Sequence, residues 1–168
     1  SIDYLRISVT DRCNLRCFYC MPEEGIELLK HEAILSYEAI TQVAQKAVKL
    51  GFTKIRLTGG EPLIRKNIVD LVAMLSNISG IKTIAMTTNG TLLSDLAQEL
   101  KNAGLTSINV SLDTMNSTLY NIITRGGSLD AVLKGIYAAK NAGLAIKINT
   151  VVLDTASPIL AEQKFKQD

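Results

Sequence analysis

Four times along this chain an apolar helical face stops at a glycine and a short strand-like run follows, and this recurrence constrains the fold more than any bulk property. After Ser36, a good N-cap with Glu38 in the first turn, Ile40, Val43, Ala44 and Ala47 recur at helical spacing until Gly51. Ile68, Leu71, Val72 and Leu75 mark a second face stopping near Gly80. Leu93, Leu96, Ala97 and Leu100 mark a third before Gly104, and Leu129, Val132, Leu133 and Ile136 a fourth before Gly143. The run Asn-Ala-Gly-Leu stands at 102–105 and again at 141–144, an internal repeat. Strands are expected at 5–10, 54–58, 83–87, 107–111 and 145–153. Such alternation predicts right-handed βαβ crossovers and a parallel sheet, either open and doubly wound or part of a (β/α) barrel.

With 168 residues and 47% hydrophobic content the chain can bury one core without staples. A net charge of +2 with scattered basic residues implies neither a nucleic-acid nor a membrane partner. No run approaches the ~20 apolar residues of a membrane helix, and the first residues do not read as a signal peptide. A cytoplasmic protein is expected. Residues 157–168 begin another helix-like stretch with no strand after it, so the chain reads as a fragment of a longer one, with fewer units than the eight of a closed barrel.

The unusual polar clusters all follow strands: 13–20, Gly59-Gly60-Glu61, Thr87-Thr88-Asn89-Gly90 and Ser111-Leu112-Asp113. That end of a parallel sheet is where ligands bind. The first cluster holds every cysteine, Cys13, Cys17 and Cys20, in CxxxCxxC spacing. An odd number of thiols this close favours a shared ion or cluster over disulfides. Three thiolates can hold three corners of a 4Fe-4S cluster and leave one iron open to a small molecule. The rival is structural zinc with His31 as fourth ligand, although the spacing is not that of a finger. Two glycines let backbone approach a ligand closely, and Glu61 is either the partner of an ammonium group or a solvated surface charge.

With Tyr19 before the last cysteine and Gly59-Gly60-Glu61-Pro62 after the second strand, the sequence resembles the radical S-adenosylmethionine (SAM) enzymes. Within them, 5–14 (LRISVTDRCN), 20–22 (CMP), 55–63 (IRLTGGEPL), 87–90 (TTNG), 108–113 (INVSLD) and 147–149 (KIN) resemble the GTP 3′,8-cyclase family of molybdenum cofactor biosynthesis, a family of lyases. The resemblance implies a partial (β/α) barrel of the radical SAM type, parallel strands with outer helices, cut short after about five βα units within one core domain over 1–168. It implies a 4Fe-4S cluster on Cys13, Cys17 and Cys20, and SAM against Tyr19, Gly60, Glu61 and Ser111. It further implies GTP against Arg6, Arg56, Thr87 and Lys147. Two arginines and a lysine suit a triphosphate. The implied reaction is reductive cleavage of SAM to a 5′-deoxyadenosyl radical that takes a ribose hydrogen from GTP, with an electron donor protein or reductant as partner and a homodimer compatible with it. The family also carries a second cluster with its own cysteines, but no cysteine follows Cys20 here, and 154–159 departs from the family's usual continuation. The fragment is therefore not expected to act as a cyclase alone. A peptide-modifying radical enzyme and a non-catalytic Cys3His zinc module are the alternatives.

Overall fold

The computed structural model describes residues 2–30 and 33–153. Five strands, β1 (Tyr4–Ser8), β2 (Lys54–Thr58), β3 (Thr83–Thr88), β4 (Ser107–Ser111) and β5 (Ala145–Asn149), form one parallel sheet in sequence order. Between them run α1 (Tyr37–Lys49), α2 (Ile68–Ser76), α3 (Leu93–Ala103), α4 (Ser117–Thr124) and α5 (Leu129–Asn141). Because every crossover advances in the same direction, right-handed connections carry the helices to one face. This resolves the two expected architectures in favour of the barrel arc.

The sheet has two chemically different faces. Ile55 and Leu57 of β2, Ile84 and Met86 of β3, and Ile108 and Val110 of β4 are buried in the main core with Leu71, Leu75, Leu93, Leu100 and Val132 from the helices. The alternate residues are mostly polar: Arg6 pairs with Arg56 across β1 and β2, Thr87 with Asn109 and Asn109 with Lys147 across β3 to β5, and Ser111 with Asn149. Parallel sheets are usually apolar on both faces. Here the face away from the helices lines an open polar interior, which keeps the period-2 pattern sharp.

Local chemistry sets the element ends. Ser36 Oγ accepts from the Ala39 amide at 3.1 Å, and the side chains of Asn116 and Ser128 cap α4 and α5 in the same way. The repeated Asn-Ala-Gly-Leu is one helix stop used twice. Gly104 and Gly143 take φ of 109° and 79°, and the following Leu105 and Leu144 amides donate to the Leu100 and Ala139 carbonyls, both at 3.0 Å.

Some boundaries differ from the sequence expectations. β1 ends at Ser8, and β5 ends at Asn149 rather than reaching 153. Beyond Asn149 the chain turns to side-chain partners, Thr150 Oγ1 donating to the Leu112 carbonyl at 2.9 Å and the Val151 amide to Asp113 Oδ1 at 2.9 Å. Helix α4 was not anticipated, since eight residues are too few to establish a period. Val43, expected on the core face of α1, is 47% exposed, while Ile40, Ala44 and Ala47 are buried. The expected segment 157–168 lies outside the described residues. Among the described residues no helix is long and apolar enough to cross a membrane.

Leu57→Ala should cost about 2–5 kcal/mol in urea unfolding because Leu57 is fully buried. Val43→Ala should change stability by less than about 1 kcal/mol. Equal losses would mean that the core face of α1 is misassigned.

Candidate cofactor site

The segment bearing the cysteines leaves β1 and is pinned to α4. The Arg16 and Phe18 amides donate to the Thr124 and Ile123 carbonyls, both at 3.1 Å, so loop donors satisfy carbonyls that a helix end leaves without intrahelical partners. Leu15 is buried, and Phe18 packs on Ile122 and Ile123 in a small separate core. Between these anchors the Cys20 and Met21 amides fold back onto the Cys17 carbonyl at 2.9 and 3.0 Å. The Leu15 amide donates to Cys13 Sγ at 3.4 Å, the kind of contact that tunes a sulfur ligand.

The Gly-Gly-Glu segment is seated against this loop by its backbone. The Gly60 and Glu61 amides donate to the Thr10 and Arg12 carbonyls at 2.8 and 2.7 Å. A Cβ on Gly60 would lie 2.1 Å from the Arg12 carbonyl oxygen, so a glycine is required for close approach to the protein's own chain. Glu61 is only 1% exposed, which removes the surface-charge reading. Its Oε1 accepts from the Leu63 amide at 3.0 Å and from Thr88 Oγ1 at 2.7 Å, and its Oε2 from the Asn89 amide at 2.7 Å. Burial pushes the carboxyl above its usual range, and the three donors pull the other way.

A cleft of about 280 Å³ opens at the carboxyl ends of the strands. Of the residues singled out in the sequence, Arg6, Cys13, Cys17, Tyr19, Cys20, Gly60, Thr87 and Ser111 line it. Glu61 sits behind the rim instead. Arg56 and Lys147 are also outside the lining, on the same polar sheet face by register. Arg56 donates to Thr87 Oγ1 at 3.2 Å and to the Tyr4 hydroxyl at 2.5 Å. Arg6 reaches Thr58 Oγ1 at 3.5 Å.

Asp113 and Asn89 also line the cleft, although neither was singled out. The Tyr19 hydroxyl donates to Asp113 Oδ2 at 2.5 Å. Asn89 Nδ2 donates to Asn14 Oδ1 at 2.8 Å and lies 3.9 Å from Cys13 Sγ. Both residues stand inside polar clusters that the sequence places after strands, which was the available signal.

Burial first, then the charges of Cys20, Cys13 and Asp113, push Cys17 up to about 12, and Cys20 is raised by burial, Cys13 and Asp113. Three thiols grouped at one end of the cleft are a donor set that fits an iron–sulfur cluster, whose positive core would hold them as thiolates. Among the described residues no three His, Cys, Asp or Glu side chains converge on a single ion. A cluster does not require that convergence, because each thiolate takes a different iron. His31, the zinc alternative's fourth ligand, lies outside the described residues.

A shallow arc of parallel strands with a three-cysteine loop at its carboxyl rim defines a class, and sequence comparison agrees with it. The description of the radical SAM superfamily matches residues 7–158, and the chain belongs to that superfamily. It is 57% identical over 155 residues to the GTP 3′,8-cyclase of Thermodesulfovibrio yellowstonii, covering 91% of this chain and 48% of that protein. It is 58% identical over 153 residues to the GTP 3′,8-cyclase of Peptoclostridium acidaminophilum, covering 90% and 47%. The chain spans about half the length of the curated relatives it matches. Among solved structures, Streptococcus suis SuiB bound to S-adenosylmethionine superposes with a TM-score of 0.74 at 20% identity, over 98% of this chain and 35% of that one. The structure of anSMEcpe with bound AdoMet gives 0.71 at 18% identity, over 98% and 47%. At that identity the likeness is one of fold.

Glu61→Gln would turn an amide donor toward one of three buried donors. The substitution should cost about 1–3 kcal/mol in urea unfolding of the ligand-free chain. Unchanged stability would remove the scaffolding role from Glu61.

Proposed function

We propose that this chain is the radical-generating portion of a GTP 3′,8-cyclase, an enzyme at the first step of molybdenum cofactor biosynthesis. The observation that carries the reading is the shared cleft, which sets three cysteines beside Gly60, Ser111 and Tyr19 and opens onto Arg6 and Thr87. The identity of 57–58% to named cyclases supports it over other radical enzymes. In this reading residues 1–168 form one incomplete core domain, and the remaining length seen in the relatives supplies what the purine needs.

Cys13, Cys17 and Cys20 would hold a 4Fe-4S cluster, and the cleft beside Tyr19, Gly60 and Ser111 would take SAM. Together these groups supply one-electron reductive cleavage of a sulfonium carbon–sulfur bond, with an external low-potential donor as the electron source. The chain's own residues orient and shield. Glu61 acts through backbone and scaffold, keeping the Gly60 strand end against the Arg12 carbonyl. Asp113 holds the Tyr19 ring at the cleft by its phenol. Arg6, Arg56 and Lys147 put guanidinium and ammonium donors on the polar sheet face, where a triphosphate would be matched bidentately. Thr87 receives one arm of Arg56 and so fixes that fork relative to β3.

Two measurements test the reading. The chain reconstituted anaerobically with iron and sulfide should cleave SAM to 5′-deoxyadenosine when a reductant is added, and retained zinc with no brown chromophore would sink it. In the full-length protein, Arg56→Ala should weaken GTP binding by about 10–100-fold, the worth of a lost charge-assisted contact. Undiminished GTP affinity would place the triphosphate elsewhere.

A further inference from the structure

Arg125 caps α4 with φ of 51°, in the left-handed region that a side chain with a Cβ rarely adopts. Glycine is the usual residue there, and two glycines, Gly126 and Gly127, follow immediately. A strained position kept by an arginine when glycine stands one residue away calls for a compensating contact.

That contact is to the cysteine loop. Arg125 Nη1 donates to the Arg16 carbonyl and to the Met21 carbonyl, both at 2.9 Å. These two carbonyls bracket the arc from Cys17 to Cys20. Beside them the Arg16 and Phe18 amides donate to the last carbonyls of α4. The helix end thus binds the loop with both polarities, its carbonyls taking two loop amides and its guanidinium taking two loop carbonyls. Arg125 Nε is buried without a hydrogen-bond partner, and Nη1 makes both contacts to the loop. Arg125 does not line the cleft, and its Nη1 reaches the loop through backbone carbonyls.

We propose that Arg125 is a positioning residue for the cluster-binding loop: its guanidinium fixes the spacing of the Arg16 and Met21 carbonyls and so presets the arc that carries Cys17 and Cys20. The inference rests on the reading that these cysteines hold a cluster. Glycine and asparagine both accept the left-handed backbone but lack the guanidinium, so Arg125→Gly and Arg125→Asn remove the contact without adding strain. Lysine keeps the charge as a single point donor and can serve one carbonyl better than two.

The test compares these three variants with the parent chain by amide hydrogen exchange of the apo protein, by the rate of iron loss to a chelator after reconstitution, and by thermal midpoint. In Arg125→Gly and Arg125→Asn, exchange over 16–21 and iron loss should each quicken at least about tenfold, since two charge-assisted hydrogen bonds are lost. The thermal midpoint should stay near that of the parent, and Arg125→Lys should fall between. If Arg125→Gly folds poorly, the Arg125→Asn rates decide. Parental rates in both, or faster exchange spread over the whole chain with a lowered midpoint, would overturn the proposal. Failure of the parent to take up iron would count against the cluster reading, and the apo exchange rates would still judge the Arg125 contact.

Discussion

The rim of the sheet is held together by one buried carboxylate. Glu61 follows β2, its amide donates to the Arg12 carbonyl beyond β1, and its side chain accepts from Thr88 and Asn89 at the end of β3. Three strand ends are therefore tied together by one residue, the β1 end through its backbone amide and the β3 end through a carboxylate with almost no access to water. Burial pushes this carboxyl up and its three donors oppose the rise, so loss of a donor would leave a buried polar group unsatisfied. Gly60 is the other half of the lock, since only a residue without Cβ fits against the Arg12 carbonyl. The cysteine loop begins at that carbonyl, so its starting point is inherited from the lock.

From that fixed start the cleft acquires two poles. On one side stand Cys13, Cys17, Cys20 and Asp113, where burial and crowding push the Cys17 and Cys20 thiols up. On the other, Arg6 lines the cleft, and Arg56 and Lys147 lie outside its lining on the same polar sheet face, a basic set that favours an anion. In the proposed reading the thiols would hold an iron–sulfur cluster with SAM beside it, and the basic side would meet a nucleoside triphosphate. The apolar face supplies the rigidity, with β2, β3 and β4 each sending fully buried side chains into the helical layer.

The repeating helix stops were legible because their cause is local: a glycine at positive φ and a leucine amide five residues from its carbonyl partner lie within one turn of sequence. The cysteines were legible for the same reason. Glu61 was found but its placement was not, because no pattern says which way a loop carboxylate faces. Tyr19 and Asp113 are 94 residues apart, Asn14 and Asn89 are 75, and Met21 and Arg125 are 104, so those pairs exist only once the sheet has formed. Helix α4 was hidden by its shortness, and with it the anchor of the cysteine loop. Val151 and Val152 continue a strand-like composition past Asn149, where the backbone leaves the ladder, so composition does not mark the end of β5.

The central claim is that Cys13, Cys17 and Cys20 hold a cluster with one iron open to the ligand in the adjoining cleft. Electron paramagnetic resonance of the reconstituted, chemically reduced chain, recorded with and without SAM, tests it most directly. A four-iron signal whose g-values shift when SAM is added is expected, and the signal should be lost in Cys17→Ser. A signal indifferent to SAM, or no cluster signal at all after reconstitution, would contradict it.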